Sequence, residues 1–325
     1  MAIIQLSDVV TPEMYDEYFS EEWTTKSALI RSGIVGQNDK MNMLLAGGAS
    51  TFNFPFWKVN DMASQAATPV DEGTTITPAA ITAGKQVARR LFFEKAWGQN
   101  DVVVVNAGDD PLEAALSHLG KYWEKQSQTA LFSSVQGVIA DNIANDSGDL
   151  VVDITGLTDS VINSDAVIDA IGKFGDQVDE IVGIGMHSIP YQRLQKDNLI
   201  DFRPDNEQNI GWGVYLGKTV IVDDSLKVGT EYFNIIFKSN AFMSGESSEG
   251  YVPLEIDRNP AASGGVTNLY SRRVIGMHPA GFAWQETAAV TTTFPTFANM
   301  ALASEWNRVV DGPKNCGFSV LKTLG

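Results

Sequence analysis

The chain is poor in the residues from which metal and catalytic centres are usually built. Its one cysteine, Cys316, excludes an intramolecular disulfide. Its three histidines, His118, His187 and His278, stand far apart in sequence with no second thiol to join them, so neither a metal nor a cofactor is expected. Long apolar runs are missing too. Nothing approaches the roughly 20 residues of a membrane span, and the opening MAIIQLSDVV has no basic start or long apolar stretch of a secretory signal. Positive charge is scarce: 23 Lys and Arg face 40 Asp and Glu, a net charge of −17. Proteins that grip DNA displace phosphate counterions with Lys and Arg, so specific DNA binding is disfavoured. An acidic protein that encloses DNA without adhering to it fits this balance.

Material for a core is present. The 325 residues are 44% hydrophobic with seven Trp and sixteen Phe, enough for one large or two medium domains. Residues 1–45 read as an arm: its first thirty residues hold six acids, Asp8, Glu13, Asp16, Glu17, Glu21 and Glu22, against the single base Lys26. A short helical patch fits Glu13–Phe19, while Gly33, Gly36 and Gly47–Gly48 prevent a long helix.

Residues 46–100 read as an extended β-hairpin. Phe52, Phe54 and Phe56 alternate with Asn53 and Pro55, the period of a half-buried strand. Val87, Arg89, Leu91 and Phe93 share one face of the returning strand. The Thr-, Ala-, Pro- and Gly-rich stretch between them has too few large apolar groups to form a core. An isolated ribbon is marginal in water, so this one is expected to pack on something else, and the three phenylalanines show no evident partner within the chain. Lys85, Arg89, Arg90 and Lys95 form the strongest basic cluster of the sequence. Interleaved with Phe92, Phe93 and Trp97 it fits nucleic acid, a solvated ribbon face is the plainer reading, and a third is an acidic partner, for which Glu13, Asp16, Glu17, Glu21 and Glu22 of the arm supply a surface.

Residues 101–149 hold the clearest helix, over 109–141. Asp110 is placed to cap it, Pro111 suits the first helical position and Glu113 completes a capping box. Apolar groups from Leu112 to Leu131 recur at three- and four-residue steps, predicting a rod of roughly 45 Å. Residues 150–265 alternate helix and strand: a helix from Asn163 or Ser164 to Phe174, another over Tyr191–Leu199, and buried strands at Ile181–Met186, Thr219–Val222 and Tyr232–Phe237, with Asn259–Gly265 as a tip. Residues 266–325 add a strand at Arg272–Met277, a β-rich Thr287–Phe294, a short helix near Ala298–Trp306 and a last strand at Phe318–Leu321. The class is α+β.

Few residues suggest chemistry. Asp223–Asp224 follows a buried strand, but adjacent strand residues point to opposite faces and do not converge. His187–Ser188 gives no nucleophile–base geometry by adjacency, and Gly183-x-Gly185 lacks the third glycine and helix start of a dinucleotide loop. Cys316 has no nearby histidine and reads as a small buried hydrophobe. No enzyme activity is expected.

The order of segments, together with LSDVVTPEMYDEYFSEEWTTKSALIRSGIV, AGDDPLEAALSHLGKYWEKQSQTALFSSVQGV, GKTVIVDD and FANMALASEWNRVVDGPKNCGFSVLKTLG, resembles the major capsid proteins of tailed bacteriophages. Encapsulin shells and the herpesvirus capsid floor share that fold. The resemblance implies an N-arm at 1–45 and an extended loop at 46–100 lying over a neighbouring subunit. It implies a peripheral domain at 101–149, containing a spine helix, and at 266–325, with an axial domain at 150–265. It further implies homo-pentamers and homo-hexamers closing an icosahedral head around double-stranded DNA. A portal, a separate scaffolding protein and a decoration protein are the expected partners, in a virion assembled in the host bacterial cytoplasm. Some relatives cross-link through a loop lysine; nothing around Lys58 or Lys85 marks an isopeptide donor, and no cross-link is expected. Alternatives are an encapsulin-type compartment, a tail or minor structural protein, and an acidic enzyme built on 150–265, for which no converging site can be assembled.

Overall fold

The computed structural model describes residues 27–325, apart from 60–63, 71, 74, 76, 108–109, 198, 203–212 and 325. The chain enters through β1 (Val35–Gln37) and α1 (Asp39–Ala46), then runs through β2 (Thr51–Trp57) and β3 (Ala83–Asn100). Three helices follow: α2 (Asp101–Ala107), α3 (Pro111–Ser117) and α4 (Leu119–Asn145). Next come β4 (Val151–Asp153), α5 (Ser164–Gly172), β5 (Ile181–Met186), α6 (Ser188–Lys196), β6 (Asp201–Phe202), β7 (Gly213–Tyr215) and β8 (Lys218–Val222). The rest comprises β9 (Lys227–Val228), β10 (Glu231–Lys238), β11 (Phe242–Ser247), β12 (Leu254–Asn259), β13 (Val266–Pro279), β14 (Phe282–Trp284), α7 (Phe297–Met300), β15 (Trp306–Arg308) and β16 (Phe318–Thr323).

Two large sheets result. The first has the order β1-β11-β13-β3-β2, with β12 also on β13. Its organising strand is β3, whose distal half pairs with β2 from Trp57↔Ala83 to Thr51↔Arg89, while its proximal half pairs with β13 from Gly276↔Arg90 to Val266↔Asn100. The expected ribbon is therefore a continuation of a body sheet rather than a free hairpin. All described residues from 64 to 82, the stretch expected to lack a core, are exposed. The second sheet runs β4-β16-β10-β5-β8-β7-β6, with β9 on β10.

Between the sheets lies α4. From Gln128 to Asn142 almost every side chain is buried, which is why the helix has no pronounced apolar stripe. Leu131, Phe132, Val135 and Ile139 share one core with Ile275 and Met277 of the first sheet and Phe233, Ile235 and Phe237 of the second. Gly137 is a close-approach position: a Cβ there would sit 2.2 Å from the Met300 carbonyl oxygen and 2.5 Å from Trp306 Nε1. The opposite face of the second sheet, with Ile184, Val220, Ile236 and Leu321, packs on α5 and α6 through Val167, Ala170 and Leu194.

Four expectations are corrected. The single helix over 109–141 is two: Asp110 caps α3 by accepting from the Leu112 and Glu113 amides, but the helix breaks at His118 and restarts as α4, which runs to Asn145. Ser117 Oγ donates to the Ala114 carbonyl at 2.7 Å, a competing side-chain bond at the break. Thr287–Phe294 is a loop despite its β-branched residues. Its backbone groups find side-chain partners, Thr287 N donating to Glu305 and the Thr293 carbonyl accepting from Arg89. The residues of the supposed arm from 27 onward are integral to the body, with Leu29 and Ile34 fully buried in the main core. The sheets also do not change over at 265: β11 and β12 already belong to the first sheet, and β16 returns to the second. Of the other expectations, α5, capped by Asn163, α6 and the strands β5, β8, β10 and β16 match to within a few residues. Strand β13 begins six residues before the expected Arg272, the helix near Ala298–Trp306 ends at Met300 with Trp306 in β15, and the helical patch at Glu13–Phe19 lies outside the described residues.

Candidate intersubunit surface

The three ribbon phenylalanines divide by depth. Phe52 is only 3% exposed and packs with Met41, Leu45, Ala88 and Val274, so the expectation that it lacks an internal partner is corrected. Helix α1, invisible as a unit in the sequence reading, supplies that partner. Phe54 is half-buried against the same cluster, and Phe56 lies over Gly84 on the paired strand. Farther out, Trp57 is 68% exposed, and Val59 and Ile81 beside it are exposed too. The unsupported apolar surface thus begins at Trp57. A tryptophan at a strand end, with a valine two residues on, was the sequence signal for it.

The basic cluster divides likewise. Arg89 is buried and ion-paired to Glu286 at 2.8 Å, while its Nη atoms donate to the Ser50 and Thr293 carbonyls at 3.0 and 2.8 Å. Glu286 holds this position with a left-handed φ of 49°, a conformation stabilised by its second bond, from Trp284 Nε1 at 2.8 Å. Arg90 donates to the Leu45 and Gly47 carbonyls at the end of α1 and lies over the Phe52 ring at 5.5 Å. Both arginines, expected to face an acidic arm, are therefore engaged inside the chain, because the strand that carries them is covered on both faces at its root. Lys85 and Lys95 are exposed. Glu13, Asp16, Glu17, Glu21 and Glu22 lie outside the described residues.

A second apolar surface was not foreseen. Between α2, α3 and the β12–β13 hairpin runs a groove of about 650 Å³ floored by Leu112 and Leu269. Val105 on its rim is 82% exposed and Ile256 is 65% exposed. The alternation Leu254, Glu255, Ile256, Asp257 is a strand signal with one apolar face, and β12 is an edge strand whose side chains are all exposed. Contiguous exposed apolar surface of this kind marks contact sites.

The residues considered for chemistry form no reaction centre. Around His187 the Ser188 hydroxyl at 3.3 Å, the Ile189 amide at 3.2 Å and an Asp224 oxygen at 3.7 Å all meet the same atom, Nδ1. A relay needs the two ring nitrogens on different partners. Here the ring accepts from the Ile189 amide and caps α6, and burial holds its pKa below the usual value. Cys316 is buried, and that burial pushes its thiol up to about 12, far from the thiolate a nucleophile requires. Among the described residues no cluster of His, Cys, Asp or Glu is arranged to hold a metal ion, and no helix is long and apolar enough to cross a membrane.

Known proteins give the chain a family. Residues 105–317 match the family model of major capsid protein 13-like proteins. The major capsid protein of Bacillus phage SPP1 is 34% identical over 321 residues, 97% of this chain and 96% of that one. Among solved structures, the cyanophage Pam1 capsid superposes with a TM-score of 0.62 at 9% identity, covering 98% of this chain and 97% of that chain. The capsid of Ralstonia phage GP4 gives 0.60 at 10% identity, covering 100% and 98%. At such identities the superpositions speak for the fold, the α+β fold of tailed-phage capsids, while the family rests on the sequence matches. The chain belongs to the Gp13-like major capsid proteins of bacteriophages, structural subunits of the virion shell and not enzymes.

Proposed function

We propose that this subunit assembles as pentamers and hexamers into the icosahedral head that encloses double-stranded DNA, with the distal ribbon and the α2–α3 groove as its contacts with neighbouring copies. The observation that carries this reading is the ribbon beyond Pro55: Trp57, Val59 and Ile81 are exposed, and so is every described residue from 64 to 82. Such an extension is under-buried in a monomer and is stabilised by lying on another subunit. A contact between two different patches is heterologous, and heterologous contacts close into rings where the rotation permits.

In this reading residues 1–26 continue as an N-arm, the first sheet with α4 as spine forms the periphery, and the second sheet with α5 and α6 forms the axial part around the ring centres. Residues 151–238 and 318–323 supply that second sheet. The partners are a portal, a separate scaffolding protein and a decoration protein, and assembly takes place in the host bacterial cytoplasm. The net charge of −17 supports a wall that surrounds DNA without binding its sequence.

Sedimentation and negative-stain imaging of the purified chain, alone and with its scaffolding partner, test the proposal. Capsomers and closed particles are expected. A protein that stays monomeric or dimeric at every concentration, with partner present, overturns it.

A further inference from the structure

The Asp223–Asp224 pair, set aside as chemistry, stands where three parts of the chain meet. Its two carboxylates point opposite ways, as adjacent residues at a strand end do. Asp223 is buried and fully engaged. Oδ2 accepts from the Ala28 amide at 3.2 Å and from Gln128 Nε2 of α4 at 2.7 Å, and Oδ1 accepts from the Ser225 amide at 2.9 Å and hydroxyl at 2.6 Å. The Asp223 amide itself donates to the Met186 carbonyl, the last residue of β5, at 2.9 Å. Asp224 faces outward and accepts from the Ser188 amide at 3.2 Å, the first residue of α6, with His187 Nδ1 at 3.7 Å.

A second contact joins the same places independently. Leu29, fully buried, sits against Gly185 of β5, where an added Cβ would lie 2.7 Å from Leu29 Cδ2. The chain at 28–29 therefore touches the end of β8 through a hydrogen bond to the Asp223 carboxylate, and β5 directly through a side chain seated on a glycine. The Arg31 fork on Glu124, at 2.7 and 2.9 Å, fixes the same stretch to α4.

We infer that the Asp223–Asp224 pair is a mechanical junction coupling the segment at Ala28–Leu29 to the first turn of α6. A pull on that segment acts on Asp223, and Asp223 and Asp224 together hold the backbone at Met186 and Ser188. The coupling is a property of the single chain. Its use in a shell, passing arm contacts to the axial part, rests on the function proposed above.

Hydrogen exchange read by mass spectrometry on the full chain tests the coupling, whatever its assembly state. Ala28→Pro removes the donor to Asp223. Amides of 187–196 should then exchange at least about tenfold faster, the factor expected for one lost hydrogen bond to a charged group, while β10 and β16 keep their protection. Adding Ala28→Pro to Asp223→Ala should accelerate α6 no further than Asp223→Ala alone. Leu29→Ala, which vacates the seat on Gly185, gives the same pattern if the proline variant does not fold. Faster exchange confined to residues 27–34, or spread equally over both sheets, overturns the junction.

Discussion

His278 lies 1% exposed, its Nε2 without a hydrogen-bond partner, and burial lowers its pKa from 6.5 to about 4. The unfolded chain, with the ordinary value, binds a proton that the folded chain refuses between those two pH values. Stability is therefore full above pH 6.5 and falls as the pH drops toward about 4, by about 3 kcal/mol for this group. His278→Gln, which does not titrate, should flatten the acid limb of a denaturation-midpoint curve over that window. Equal losses in both proteins would assign the limb to other groups. The sequence marked His278 only as isolated from other ligands, because its ring lies against Trp306, 28 residues away in sequence, a contact no local pattern announces. For the same reason it could not tell Arg89, buried at the ribbon root, from Lys85, exposed four residues earlier on the same strand.

At the scale of elements, the ribbon changes character along its length. Phe52 belongs to the subunit core, whereas Trp57 is exposed, and the function proposed above makes it an assembly contact. Phe52→Ser should destabilise the subunit by about 3–5 kcal/mol, the range for emptying a buried aromatic site, seen in denaturant midpoints. Trp57→Ser should leave those midpoints within about 0.5 kcal/mol and lower the yield of closed particles. If both variants fold and assemble alike, the division is wrong. The alternating phenylalanines made the strand readable, since period-two patterning is local. Their depth was not readable, because it depends on α1, which folds over the strand root from residues that look like a continuation of the arm. The capped start of α3 was equally legible through Asp110 and Pro111, whereas the break at His118 was not, the apolar steps on either side of it being compatible with one rod.

On the whole-molecule scale, charge and apolar surface oppose each other. With Arg89 and Arg90 engaged internally, Lys85 and Lys95 are the exposed cations left of the ribbon's basic cluster, and copies carrying −17 repel one another. Raising salt from about 0.05 to about 0.5 M shortens the Debye length severalfold and should lower the concentration at which particles form, followed by light scattering. Assembly that weakens with salt would instead place ion pairs at the centre of the interface. The α+β class and the segment order were visible in the sequence, since each element carries its own pattern. The boundary near 265 was misplaced because sheet membership is decided by long-range pairing: β11 and β12 follow the second sheet in sequence yet hydrogen-bond within the first.

The position of β16 has a consequence for biosynthesis. This strand, Phe318–Thr323, lies between β4 and β10, and its side chains Phe318, Val320 and Leu321 reach the cores on both faces of the sheet. Until residue 323 has left the ribosome, β4 and β10 have no common neighbour and the apolar face of β10 lacks one flank. A nascent chain thus cannot complete its second sheet until β16, the last of that sheet's strands in chain order, has emerged. Before that point the flanks of β4 and β10 stay open, so a partly made chain does not yet have the finished surface of the subunit.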